Sequence, residues 1–86
     1  MAQTKRVALA TEGWTLLADG SIGVTELLVQ VETSGRAKIH IAGGDPGAAV
    51  DFGISINDAN APFSARIGVT DRVFGRGGAS VIVVTM

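Results

Sequence analysis

Along most of this chain apolar and polar residues alternate with a period of two, and no stretch repeats with the 3.6-residue period of a helix. The clearest pattern is at residues 25–41, TELLVQVETSGRAKIHI, where two apolar-alternating runs flank Thr33-Ser34-Gly35. This predicts a β-hairpin, and parity predicts its register. A two-residue loop at Ser34-Gly35 would set Val31 against Lys38 and Val29 against His40, mixing apolar and charged groups on one side. A three-residue loop gives Glu32–Arg36, Val31–Ala37, Gln30–Lys38, Val29–Ile39, Leu28–His40 and Leu27–Ile41. One face is then wholly apolar and the other almost wholly polar. Gly35 falls where such a loop requires positive φ.

Shorter runs of the same kind predict strands at residues 5–10 and 14–18, with turns at Thr11-Glu12-Gly13 and Asp19-Gly20-Ser21. A loop at residues 43–49 contains Pro46. In residues 50–56, Val50, Phe52, Ile54 and Ile56 share one face, and a loop of turn formers follows at 57–62. Phe63, Ala65, Ile67 and Val69 form the apolar face of the next strand. Residues 70–76 and 79–85 predict a final hairpin across Gly77-Gly78. Seven or eight short strands with frequent turns make the chain all-β, a small antiparallel β-sandwich or barrel. Three runs break the alternation: Leu16-Leu17, Leu27-Leu28 and Val81-Ile82-Val83-Val84 are apolar on both faces. Either a loop covers the second face, or that face meets another subunit.

Composition sharpens that choice. The chain has 86 residues, 47% hydrophobic and only 17% charged, against a usual charged share of about 25%. It reads as one domain over residues 1–86, with residues 1–6 as an N-terminal arm. So short a chain buries only ~60–65% of the surface its unfolded form exposes. It has no cysteine for a disulfide and a single histidine, too few for a histidine-based zinc site. Good packing, or association with copies and partners, must stabilise it. The low charge favours buried outer faces. A net charge of −1 argues against nucleic acid as a partner. No apolar run approaches the ~20 residues of a membrane span, and Lys5-Arg6 precedes too short an apolar run for a signal peptide. The reading is a soluble chain made in the cytoplasm.

Candidate chemistry is sparse. Arg36, Lys38 and His40 project from one face of one strand and could meet an anionic partner, although such stripes are usually solvated. His40 has no nucleophile or second ligand at a recognisable spacing. The glycine-rich segments 43–47 and 75–78 lack the lysine-serine/threonine ending and the helix of a phosphate loop. Asn57-Asp58-Ala59-Asn60 has too few carboxylates for calcium and reads as a turn. Trp14 is the sole tryptophan and reads as core or interface packing. No catalytic, cofactor-binding or metal-binding residue is expected, and no enzyme activity.

Trp14-Thr15-Leu16-Leu17-Ala18, the segment from Val29 to Ile41, Pro62-Phe63-Ser64-Ala65-Arg66, Asp71-Arg72-Val73-Phe74-Gly75-Arg76 and Val81-Ile82-Val83-Val84-Thr85 together resemble small β-sandwich virion proteins of tailed bacteriophages, of the head decoration or cement type. The resemblance spans most of the chain as a pattern of strands. It implies a virion location after assembly in the host cytoplasm, with many copies on the major capsid protein, often as homo-trimers. The contact residues expected are Leu17, Leu28, Val81, Ile82, Val83 and Val84, with Lys5 and Arg6 as an arm towards an acidic capsid patch. The alternative is a small carbohydrate-binding module, for instance on a head fibre or tail, using Trp14 and the loops at 43–49 and 57–62. An exposed Trp14 beside a groove would favour that alternative.

Overall fold

A computed structural model describes residues 3–32, 35–44, 46–47, 52–57 and 62–86. Eight strands form among them: β1 Gln3–Ala8, β2 Thr15–Asp19, β3 Glu26–Val31, β4 Arg36–Ala42, β5 Ile54–Asn57, β6 Phe63–Arg66, β7 Arg72–Arg76 and β8 Ser80–Thr85. A 3-10 turn, Gly20–Ile22, follows β2. The strands make two four-stranded sheets, ordered β1-β8-β3-β6 (sheet A) and β2-β7-β4-β5 (sheet B). Each neighbouring pair is antiparallel. The sequence expectation of a small antiparallel sandwich holds.

Of the consecutive strands, only β4 and β5 are neighbours in one sheet; every other connection crosses from one sheet to the other. This order of eight strands in two sheets is that of a jelly roll. It corrects both expected hairpins. β3 pairs with β8 and β6, setting Val29 opposite Val83 and Phe63. β4 pairs with β7 and β5, setting Ile39 opposite Gly75 and Ile54. None of the pairs expected between 27–32 and 36–41 forms. The reason lies in how the two apolar stripes meet. Leu27, Val29 and Val31 enter the core from sheet A, and Ala37 and Ile39 enter it from sheet B; all are nearly fully buried. A hairpin would have left these stripes side by side, needing a separate cover. Packed sheets are ~10 Å apart, and the four residues from 32 to 35 can span about 13 Å. Gly35 does take positive φ, +152°, though at the end of a crossover; Thr33 and Ser34 lie outside the described residues.

The expected last hairpin is likewise a crossover, from β7 in sheet B to β8 in sheet A. Its turn is pinned by Gly77 and Gly78, whose N–H groups donate to the Ala10 carbonyl at 2.9 and 3.3 Å. Gly77 has φ +134°, and a Cβ there would sit 2.5 Å from the Arg36 carbonyl oxygen. Only glycine satisfies both the backbone angle and this close approach.

Three smaller differences follow. Residues 3–6 of the expected arm belong to β1, where Lys5 and Arg6 pair with Val83 and Ile82. The strand expected at 50–56 is shorter: Ile56 is buried, Phe52 is exposed, and Val50 and Asp51 lie outside the described residues. Val69 follows β6 and is exposed, whereas Ile67 is buried. The core holds Leu17, Leu27, Val29, Ile39, Val73, Val81 and Val83, each under 2% exposed. Burying one such side chain contributes roughly 1.5–3 kcal/mol.

Candidate functional site

Because side chains alternate across each strand, the residues that do not face this core define two outer surfaces. On sheet A the ladder places Val84 between Thr4 and Leu28, and Ile82 between Arg6 and Gln30. Leu28 has Ser64 on its other side. Leu28, Ile82 and Val84 therefore form a contiguous apolar patch, half-buried by their neighbours. Charged residues frame it as ion pairs. Arg6 sets Nε 2.8 Å from Glu32 Oε1 and donates from Nη2 to Oε2 at 2.8 Å. Arg66 Nε lies 3.2 Å from Glu26 Oε1.

The residues expected to contact partners thus divide. Leu28, Ile82 and Val84 lie together on this face, with Arg6 at its rim. Leu17, at 1% exposure, and Val81 and Val83, at 0%, lie in the chain's own core. Their outward placement is corrected: β8 alternates strictly, so two of its four apolar residues serve the core. Leu17 follows Leu16 through a register shift in the β2–β7 ladder that turns Leu16 out and Leu17 in. Lys5 lies opposite Val83 on the edge strand and lines a shallow depression with Gln3, Leu16 and Ile22 at the sandwich rim.

Sheet B presents different chemistry. Arg36, Lys38 and His40 share its outer face as expected, with Arg36 and Lys38 exposed. β7 adds Arg76 opposite Lys38 and Phe74 opposite His40. Arg76 carries its guanidinium carbon 5.4 Å above the centre of the Trp14 ring and donates from Nη2 to the Thr11 carbonyl at 3.3 Å. The His40 ring is 5.3 Å from Trp14 and 5.4 Å from Phe52. His40 Nδ1 lies 3.2 Å from the Phe52 carbonyl; a carbonyl can only accept, so Nδ1 carries the proton. Trp14 is half-buried outside the core cluster. A cleft of about 320 Å³ opens between Thr11, Arg36, Lys38, Ser55, Arg76 and Gly77.

At the far end of this face Arg72 bridges Asp19, Nε to Oδ2 at 3.2 Å, and donates to the Gly43 carbonyl at 2.7 Å. The Asp19 carboxyl is held below its ordinary range, first by the Ser21 hydroxyl and then by the Ser21 N–H, with Arg72 adding to them. Sequence reading missed Arg76 as a member of the basic group, because the pairing of β7 with β4 has no local signature. Of the expected turn at 57–60, Asn57 ends β5 and the rest lies outside the described residues.

Among the described residues no three His, Cys, Asp or Glu side chains gather to hold a metal. The outer face of sheet A presents apolar side chains, and that of sheet B presents basic side chains beside aromatic rings. Comparison with known proteins finds no matching family model, no matching curated protein and no matching solved structure.

Proposed function

We propose that this chain is a structural virion protein of a tailed bacteriophage that decorates or stabilises the capsid through protein–protein contacts. The observation that carries the reading is the outer face of sheet A. Leu28, Ile82 and Val84 form an apolar centre, and the Arg6–Glu32 and Glu26–Arg66 pairs form a polar rim around it. An apolar centre with a polar rim is the anatomy of a protein interface. The partners on this reading are the major capsid protein and further copies of the chain, as a homo-trimer. The virion setting rests on the sequence resemblance. The jelly-roll strand order is compatible with it, since capsid proteins use that architecture, but so do lectins and cupins.

A carbohydrate-binding module remains the second reading, favoured by the position of Trp14 outside the core. Arg76 lies over one face of the Trp14 ring, where it competes with a stacking sugar, which is why this reading ranks second. The test is incorporation. Particles assembled with Leu28→Asp or Val84→Asp chain should lack it when their protein content is measured by mass spectrometry, while the wild-type chain is retained. Equal retention of a folded Val84→Asp chain contradicts the reading.

A further inference from the structure

Sheet A ends at two strands, β1 and β6. We infer that the edge of β6 facing away from β3 takes an extended segment of a partner protein as a further strand. The two edges differ in how they are guarded. On β1, Gln3, Lys5 and Val7 lie opposite Thr85, Val83 and Val81 on the inner side. A lysine on the inner side of an edge strand obstructs the addition of another strand. β6 carries no such charge: Phe63 and Ala65 turn inward and pack against the core, while Ser64 and Arg66 turn outward.

The ladder fixes where the backbone groups of β6 point. The Met86 N–H donates to the Glu26 carbonyl at 2.9 Å, so Glu26 and Leu28 direct their backbone groups to β8, and Leu27 and Val29 direct theirs to β6. Their partners Ala65 and Phe63 therefore face β3. Ile67 does the same, its N–H reaching the Thr25 carbonyl at 2.9 Å. Ser64 and Arg66 are left with N–H and C=O directed away from the sheet. Among the described residues no strand lies beyond them. Two donors and two acceptors, recurring at about 6.6–7 Å, are the pairing groups for one more strand.

The same edge sets the pattern such a segment must carry. Its inward residues extend the stripe of Phe63 and Ala65 and close over these partly buried side chains, so they are apolar. Its outward residues lie beside Ser64 and Arg66, the latter 89% exposed, so they are polar or acidic. A depression of about 410 Å³, lined by Glu26, Leu28, Ser64, Arg66 and Met86, gives them room. This contact uses the edge of sheet A and not its outer face, so it does not rest on assembly through Leu28, Ile82 and Val84.

The experiment is fluorescence polarisation of the purified chain with a labelled peptide in which Val alternates with Thr and Glu. Binding is expected, with at least a tenfold loss in Ser64→Pro. That change removes an N–H on the outward edge and leaves the bonds to β3 in place. Ser64→Thr and Val84→Asp should bind as the wild type does. Should Ser64→Pro not fold, two altered peptides carry the test on the wild-type chain. N-methylation of the central Glu, whose N–H faces β6, should abolish binding, and N-methylation of the neighbouring Val should leave most of it. Four results would overturn the inference: no binding, equal binding to a folded Ser64→Pro chain, equal loss in Val84→Asp, or equal effects of the two methylations.

Discussion

The outer faces of the two sheets, back to back across one core, differ in where their charges go. On sheet A the charged groups at the margins neutralise one another, Arg6 with Glu32 and Arg66 with Glu26, and the centre is left apolar. On sheet B, Arg36, Lys38 and Arg76 gather at one end beside the rings of Trp14, His40 and Phe52. The inner faces had little choice, because both must fill the same narrow space with branched apolar side chains. The outer faces were free to diverge. The two sheets therefore differ in surface chemistry while sharing one kind of core.

The most damaging change should strike the link between the two faces. Gly77→Val forces an unfavourable backbone angle and drives a side chain into the Arg36 carbonyl where the chain passes from sheet B to sheet A. Urea unfolding should show a loss of about 3 kcal/mol or more; a loss below about 1 kcal/mol would mean that the crossover can shift without disturbing either face. Next come two neighbours on β8. Val83→Ala empties a fully buried site and should cost about 2 kcal/mol in the same measurement. Val84→Ala, one residue along on the outer face, should cost less than about 1 kcal/mol. Equal costs would erase the distinction between the inner and outer residues of this strand.

That pair also shows how far the sequence could be read. Alternation predicted strands at nearly every place where one forms; of the six residues it set on one apolar face, Leu27, Val29, Val31, Ala37 and Ile39 are buried, whereas Ile41 is exposed. It could not say which strands are neighbours. A stripe facing its partner across a sandwich has the same period as one lying beside its partner in a hairpin. The short connections at 32–35 and 77–79 tempted a local pairing, whereas the hydrogen bonds of β3 and β4 go to strands far away in the chain. For the same reason Arg36, Lys38 and His40 were recognisable as a group but Arg76 was not. Four of the expected contact residues, Arg6, Leu28, Ile82 and Val84, lie on one surface. Leu17, Val81 and Val83 were misplaced, because a run of apolar residues does not reveal which of its members face inward.

Salt tests the kind of force at work on sheet A. Raising ionic strength should leave self-association through that face unchanged or slightly stronger in sedimentation, and a several-fold weakening would mean that charge governs it. Two smaller effects complete the series. Arg6→Gln removes a largely exposed ion pair and should cost only about 0.2–1 kcal/mol in urea unfolding. Asp19 has its folded carboxyl below the ordinary value of 3.8, so its stabilising effect is complete above that value. Acidification removes it as pH falls through the folded pKa. Thermal unfolding from neutral pH down to strongly acidic pH should show an acid-side loss that is smaller in Asp19→Asn than in the wild-type chain; identical curves would deny Asp19 this role.

The most direct test is sedimentation equilibrium of the wild-type chain and Val84→Asp across a range of protein concentrations, with circular dichroism to confirm that both are folded. If the apolar centre of sheet A is an association surface, the wild-type chain sediments as an oligomer, a trimer on the proposed reading. Val84→Asp then remains a folded monomer at concentrations at least tenfold higher. A wild-type chain that stays monomeric at every concentration, or a Val84→Asp chain that assembles as the wild type does, would contradict the account.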